Sequence, residues 1–556
     1  QRYIGFVHRA LHGRRPGWAA RLAISKDYRF CLQHLDAIAD SHGQADEFAN
    51  TVSQSVAALF TGLNELIVQR VRRCAAQVSQ LSIEELSTET LIRKFEIPTQ
   101  LTALTSGEQP ARNDITGINV GELLDKLSFP VMVSLVLAGS QIASTRALYA
   151  NRGLLDDFAQ HVGRNQHPRR ALYLTDTLRD RNGVSKSLSG KLAEIQRCDY
   201  PVDFLICHAD AAPEPHLHVV RPLAEIRIPT FGEQQLRIPD VLEIARIFYA
   251  GGYDRVVCST EGPMVLVALL LKYMFNVPAY FFMHTDWLDF FRHTTNLNSH
   301  ELDRIRRLLR ALYLRFEGVF VLNSEHRQWL LGPEMGLAEK SVFMTAHHVE
   351  RPHRKVEAIR KAELVPGACE STPVLFTACR LSKEKGILEL PEIYRRARAQ
   401  VPDLRMVIAG AGPAEAELRD AMPEATYLGW LSRERMEQVY AALDLFVFPS
   451  RFDTFGNVVL EAFSQGMPVL AYDCKGPRDI VIDGDNGYLV ATVDDMVAQV
   501  VEHFRHPDRH ARMRKAALQR AADYDAQTIM PQFMRDLGLM PLPPQLDENL
   551  GQQVAA

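Results

Sequence analysis

Asp453 and Glu461 stand eight positions apart on either side of a glycine turn. The run Asp444-Leu-Phe-Val-Phe-Pro449 reads as a strand that ends at Ser450, and the loop Arg451-Phe-Asp-Thr-Phe-Gly456 follows. A helix pattern then begins near Asn457 and runs to Gln465, with Gly466 placed as its C′ residue and Pro468 opening the next strand. A glycine turn at the carboxyl end of a parallel strand, feeding a helix start, favours an anion: the first-turn N–H groups are free and the helix dipole is positive there. Glu461, just over one turn into the helix, suits a group beside a bound phosphate, such as ribose hydroxyls. Asp453 lies on the loop side that faces an open cleft, where a sugar fits. Taken singly, Asp453 also reads as a turn or cap residue and Glu461 as part of a solvated helix face. A second cluster, Cys379-Arg380-Leu-Ser-Lys383-Glu-Lys385-Gly386, follows the strand pattern Val374–Thr377. Arg380 and Lys385, five apart, can converge on a diphosphate, one as a planar fork and the other as a point charge; alone they also read as a solvated basic turn.

The elements around these clusters come in a regular order. Short apolar runs at 171–175, 204–207, 255–258, 279–283 and 318–322 alternate with helical patterns. After a break near 347–372 the alternation restarts at 374–377, 405–409, 445–448 and 468–471. Continuous apolar strands separated by helices predict parallel sheets covered on both faces, so two α/β domains in tandem. The expected division is 169–360 and 361–540, with a mainly helical region at 1–168 and a flexible tail at 541–556. In the first region Val56, Leu59, Phe60, Leu63, Leu66, Ile67 and Val71 recur at helical spacing, and Thr105–Asp114 reads as a loop.

With 556 residues, 47% hydrophobic and 23% charged, the chain is too long for one small module and ordinary for a globular protein. A net charge of −4 and no recognised motif argue against nucleic-acid binding. Eight scattered cysteines without a CxxC pair argue against a disulfide scaffold or zinc ribbon and suit a reducing cytosol. The most apolar stretch, 263–283, is interrupted by Lys272 and Asn276 and reads as a helix followed by a strand rather than a membrane span. The chain starts at Gln1 rather than Met, so the lack of a leader says nothing about compartment.

Together the motifs resemble, in order, those of the retaining glycosyltransferases of family 4. They are Arg380-Leu-Ser-Lys-Glu-Lys385-Gly386, Ile408-Ala-Gly410-Ala-Gly412-Pro413, Tyr427-Leu-Gly429-Trp430-Leu431, Phe448-Pro-Ser450, Asp453-Thr-Phe-Gly456-Asn-Val-Val-Leu-Glu461-Ala, Gly466-Met-Pro-Val469, Lys475-Gly476-Pro477-Arg-Asp479 and Asp483-Gly484-Asp-Asn486-Gly487. The resemblance is clear over 373–495, looser over 171–345 and absent over 1–168. It implies the GT-B fold, two Rossmann-like domains facing a cleft, and transfer of a sugar from a nucleotide-diphospho sugar to an acceptor hydroxyl with retention. It implies that Arg380, Lys385 and the backbone N–H groups of Phe455, Gly456, Asn457 and Val458 hold the diphosphate, with Thr454 also among the donor-binding residues. It places Asp453 at the sugar, where the family usually has Glu, Glu461 at the ribose, and Gly429 and Leu431 near the base. In the first α/β domain it places Gly183 in the glycine loop after the first strand and His284 near the reacting carbon. Asp286 is a lesser candidate, and Ser324 matches a usual small residue.

The family often carries Asn-Gly before the interdomain linker. Here the stretch is Thr345-Ala-His347-His348-Val-Glu350, and the two histidines are expected to be structural or hinge residues, since neighbours point in different directions and no third metal ligand is evident. The resemblance further implies no cofactor and no metal, with cations and the helix start stabilising the leaving diphosphate. Residues 1–30 hold seven Lys/Arg with Tyr3, Phe6 and Trp18 interleaved. That pattern suits a membrane surface and a lipid acceptor, or packing against the catalytic domains. The expected protein is cytoplasmic, with peripheral membrane contact allowed, and acts on a lipid or glycan. A GT-B epimerase and a non-catalytic nucleotide-sugar sensor are the alternatives.

Overall fold

The computed structural model describes residues 2–15, 17–22, 29–78, 128–162, 169–180, 182–227, 235–294, 297–349, 356 and 359–540. The expected loop at 105–114 and the tail at 541–556 lie outside them.

Helices α1 (Arg2–Leu11), α2 (Phe30–Asp40), α3 (Ala45–Val78) and α4 (Ser128–Tyr149) form the N-terminal layer. Phe6, Leu32, Leu35, Ile38, Leu63 and Leu66 interlock as its core, so the helical spacing in 56–67 reports a buried stripe. Trp18 is exposed, whereas Arg15 and Arg21 pair with Asp40 and Asp36 inside this layer. The layer is docked on the first α/β unit. Arg146 donates to Tyr273 O and Asn276 Oδ1, and Thr61 Oγ1 donates to Asp240 Oδ2 at 2.7 Å.

The first α/β unit holds β1 (Ala171–Thr175), α5 (Gly183–Cys198), β2 (Val202–Cys207), β3 (Leu217–Val220), β4 (Pro222–Arg227), β5 (Gln235–Pro239), β6 (Arg255–Cys258), α6 (Pro263–Phe275), β7 (Ala279–Phe282), α7 (Trp287–Thr294), β8 (Gly318–Val321), α8 (Ser324–Leu331) and β9 (Val342–Met344). Its sheet is parallel throughout, in the order β3-β2-β1-β6-β7-β8-β9. Every residue of β1, β2, β6 and β8 is buried, which explains why they are apolar apart from Asp203, Arg255 and Thr175. The antiparallel pair β4–β5 was not legible in the sequence: Glu225 faces Arg237 across it, and neither strand is continuously apolar.

The second unit holds β10 (Val374–Ala378), β11 (Arg405–Ala409), β12 (Thr426–Gly429), β13 (Leu445–Phe448), α9 (Asn457–Ser464), β14 (Val469–Tyr472), β15 (Gly487–Val490), α10 (Pro507–Asp523) and α11 (Ala526–Asp536). Its parallel sheet runs β12-β11-β10-β13-β14-β15. The sequence division at 540 places α11 in this unit, yet α11 packs on the first sheet. Phe533 meets Phe320, Phe282 and Tyr173 at ring distances of 5.1, 5.9 and 6.5 Å. One apolar cluster therefore runs from β1 and β7 through Phe533 to β10 and β13, and clamps the two sheets together.

Candidate active site

Parallel strands place their loops at one edge, and the carboxyl ends of β7, β8, β9 and β13 meet across the cleft. Asn323 Nδ2, after β8, donates to Thr454 O at 2.7 Å, and Ser324 N donates to Asp479 Oδ2 at 2.7 Å. Lys475 donates to Asp286 Oδ2 at 2.7 Å and also to Asp289, while His326 Nε2 lies 2.9 Å from Asp286 Oδ2. Burial pushes the Asp286 carboxyl up, but His326 and the Lys475 ammonium outweigh it and hold it below the usual range. Asp286 is thus an interdomain anchor.

The turn after β10 carries Lys385. Gly386 closes this turn at φ +67, and a Cβ there would overlap Pro449 O at the end of β13. The close approach brings Lys385 Nζ to 2.7 Å from Asp453 Oδ2. Asp453 Oδ1 also accepts from the N–H groups of Gly456 (2.8 Å) and Phe455 (3.3 Å). Burial opposes both charges, yet each holds the other: Asp453 titrates below its ordinary value and Lys385 above. Two expectations change here. Asp453 turns onto Lys385 and its own loop rather than into open space. The amides of Phe455 and Gly456 point at that carboxylate, because it is the nearest acceptor for otherwise orphaned donors. Asn457 and Val458 remain at the helix start, whose N–H groups have no intrahelical acceptor. The Arg380 side chain is exposed and its guanidinium makes no hydrogen bond or ion pair among the described residues.

Across the cleft, Asn182 caps α5 by accepting from Ser185 N at 2.8 Å, and so aims the Gly183 end of the helix at α9. Asn457 Nδ2 reaches Ser187 Oγ at 3.0 Å and Gly183 O at 3.4 Å. Glu461 Oε1 accepts from Lys186 Nζ at 2.6 Å, so the carboxylate expected at a ribose is engaged by a cation of the opposite unit. His284, two residues beyond the end of β7, is buried, and its Nδ1 lies 3.1 Å from His347 Nε2. His347 Nδ1 lies 2.8 Å from Asn457 Oδ1. Phe282 stacks on His284 at 4.4 Å, and Phe455 meets His347 edge-on at 4.9 Å. Burial pushes the His347 imidazole down to about 3 and His284 well below its usual value, so both rings are neutral at pH 7.

Lys385, Asp453, Asn457, Gly183, Glu461 and His284 thus come to one cleft. Gly429 ends edge strand β12, two strands from β10, where its O accepts from Gly410 N, and Leu431 follows and packs on the core. His347, expected as a structural or hinge residue, lies between His284 and Asn457. Its signal was visible as a histidine where the resemblance calls for Asn-Gly. Lys186 and Ser187 gave no signal beyond a helix face.

Residues 181–340 match the Glycosyltransferase Family 4 model and residues 372–506 match Glycosyl transferases group 1. The chain belongs to these family 4, group 1 glycosyltransferases. Among relatives of this family, a GDP-mannose-dependent alpha-mannosyltransferase of Corynebacterium glutamicum is 31% identical over 33% of this chain and 43% of its own. The aligned part thus spans less than half of that enzyme. The alpha-D-kanosaminyltransferase of Streptomyces kanamyceticus is 25% identical over 51% of this chain and 76% of its own. The fold matches Anabaena HepE, solved in complex with UDP, at a TM-score of 0.52 and 18% identity, covering 67% of this chain and all of that one. It matches sucrose-phosphate synthase of Thermosynechococcus elongatus at 0.53 and 19%, covering 66% and 99%. The architecture is GT-B, as the resemblance implied.

Proposed function

We propose that the protein transfers a sugar from a UDP- or GDP-sugar to an acceptor hydroxyl, with retention at the anomeric carbon. The observation that carries this reading is the meeting of Lys385, Asp453 and the α9 start with His284 across the cleft of a family 4 fold. Breaking a glycosyl–phosphate bond builds negative charge on the leaving diphosphate. Lys385, the Arg380 guanidinium and the first-turn amides of α9 supply positive charge there, and closure of the two units over the donor excludes water. To admit a diphosphate, Lys385 shifts part of its interaction from Asp453 to phosphate, and Glu461 exchanges Lys186 for ribose hydroxyls. The acceptor hydroxyl attacks from the face the diphosphate leaves, and a phosphate oxygen takes its proton. Charge stabilisation by these residues needs no metal, so EDTA leaves turnover unchanged.

The relatives' activities support a nucleotide-sugar donor and leave the acceptor broad. One of them is an alpha-monoglucosyldiacylglycerol synthase of Streptococcus pneumoniae, 23% identical over 47% of this chain and 60% of its own. A lipid or glycan acceptor, reached from the membrane surface, extends the proposal. Among the described residues no helix is long and apolar enough to cross a membrane.

The test is thermal stabilisation by UDP, GDP, ADP and their sugars, since a ligand of the folded state raises the melting temperature by mass action. One nucleotide is expected to shift it selectively. Arg380→Ala is expected to melt as wild type without ligand and to lose about tenfold or more in nucleotide affinity. Lys385→Ala loses affinity and stability together, because it leaves Asp453 unpaired. No shift with any nucleotide on folded protein would overturn the reading.

A further inference from the structure

The hydrogen-bond chain that starts at Asn457 has a direction. Its Nδ2 lies 3.4 Å from Gly183 O, and a carbonyl oxygen only accepts, so the amide nitrogen faces it. Oδ1 therefore faces His347 Nδ1 at 2.8 Å and requires a proton on that nitrogen. Ser187 Oγ fits the same assignment: it donates to Gly183 O at 3.1 Å and accepts from Asn457 Nδ2 and His347 Nδ1. Both imidazoles are neutral, chiefly through burial, with the Lys191 amine of α5 nearby, itself pushed down to about 7 by burial. A neutral ring carries one N–H. His347 Nε2 is then a bare acceptor, and His284 Nδ1, 3.1 Å away, donates to it. That leaves His284 Nε2 with its lone pair. This atom is buried and has no hydrogen-bond partner among the described residues. A buried acceptor without a donor is costly, and a ligand hydroxyl would satisfy it.

We propose that His347 is a positioning residue: it fixes His284 in the Nδ1–H form, so that Nε2 accepts a hydrogen bond from a hydroxyl of the bound sugar. Asn457 ties this setting to the start of α9, so the acceptor is set when the two units are in contact. The sugar as ligand rests on the transferase reading above; the tautomer does not.

Two measurements test it. The first is two-bond ¹H–¹⁵N correlation on ¹⁵N-histidine-labelled full chain without nucleotide, assigned through His284→Gln. His284 is expected as Nδ1–H, with that preference lost in His347→Phe; an Nε2–H tautomer in the wild type overturns the proposal. The second compares affinity for UDP with UDP-glucose, and GDP with GDP-mannose, by calorimetry. His347→Phe is expected to weaken the sugar nucleotide by about tenfold or more while the nucleotide stays within about twofold. His347→Gln, which keeps an acceptor for the His284 N–H, is expected to restore it. Equal losses for nucleotide and sugar nucleotide, or an unchanged ratio in His347→Phe, overturn the positioning role. A wild type that binds none of the four ligands overturns the transferase reading and the sugar assignment with it. That outcome is distinguishable from failure of the relay, which the tautomer reports alone.

Discussion

Gly386→Ala separates backbone strain from steric pressure on the Lys385 turn. Gly386 sits at φ +67, and a Cβ there would fall well inside 3.0 Å of Pro449 O. Gly367 sits at φ +76 with nothing within 4 Å of its missing Cβ, so Gly367→Ala reports the left-handed backbone cost alone, about 1–2 kcal/mol. Gly386→Ala adds overpacking of about 1–3 kcal/mol, because a backbone carbonyl cannot rotate away as a side-chain tip can. At about 2–4 °C per kcal/mol for a unit of this size, the expected drops are about 2–8 °C for Gly367→Ala and about 4–20 °C for Gly386→Ala. Clearing the carbonyl needs a shift of about 1 Å in the turn that carries Lys385, and a displacement of that size costs about a hundredfold in rate at a positioned catalytic group. The assays are melting temperature, UDP and GDP affinity and turnover for both variants. Equal melting temperatures, with nucleotide affinity intact in Gly386→Ala, would refute the claim that the close approach to Pro449 positions Lys385.

Two further outcomes follow from the packing and the charges. Phe533 is buried against Phe320, Phe282 and Tyr173, so Phe533→Ala is expected to cost about 3–5 kcal/mol and to expose α11 to limited proteolysis; unchanged melting and protease resistance would show that α11 does not clamp the sheets. The Asp286 carboxyl is depressed in the folded protein, where burial is outweighed by His326 and Lys475. Its contribution to stability is therefore complete above the unfolded carboxylate value of about 4 and lost as pH falls below it. Burial pushes the Lys475 ammonium down, but Asp286 and Asp289 outweigh it and shift it up, so its share is lost only as pH rises through its folded value, above the ordinary 10.5. Between these limits the anchor is constant, and below about pH 4 the wild type is expected to lose melting temperature more steeply than Asp286→Asn. Parallel acid slopes would remove Asp286 from the anchor.

Much of the fold is local information. An apolar run such as Met406–Ala409 is best buried inside a covered parallel sheet, and a glycine turn before Asn457 announces a helix start wherever the chain goes next. Asp453, Glu461, Lys385 and Gly183 were legible for that reason: each belongs to a short segment whose pattern names its own element. Strands β4 and β5 were not, since half-polar strands stabilised by each other leave no apolar run. The sequence by itself thus determined two doubly covered sheets, the glycine turn at the carboxyl edge and the residue types gathered there. Tertiary structure alone decided what those residues face. His284 and His347 are 63 positions apart, and His347 and Asn457 are 110 apart. Their contact exists because β7, β9 and α9 are brought edge to edge by the packing that Phe533 completes. Hydrogen bonds act over about 3 Å, and no local pattern specifies a distance that small between segments set in place by the whole core.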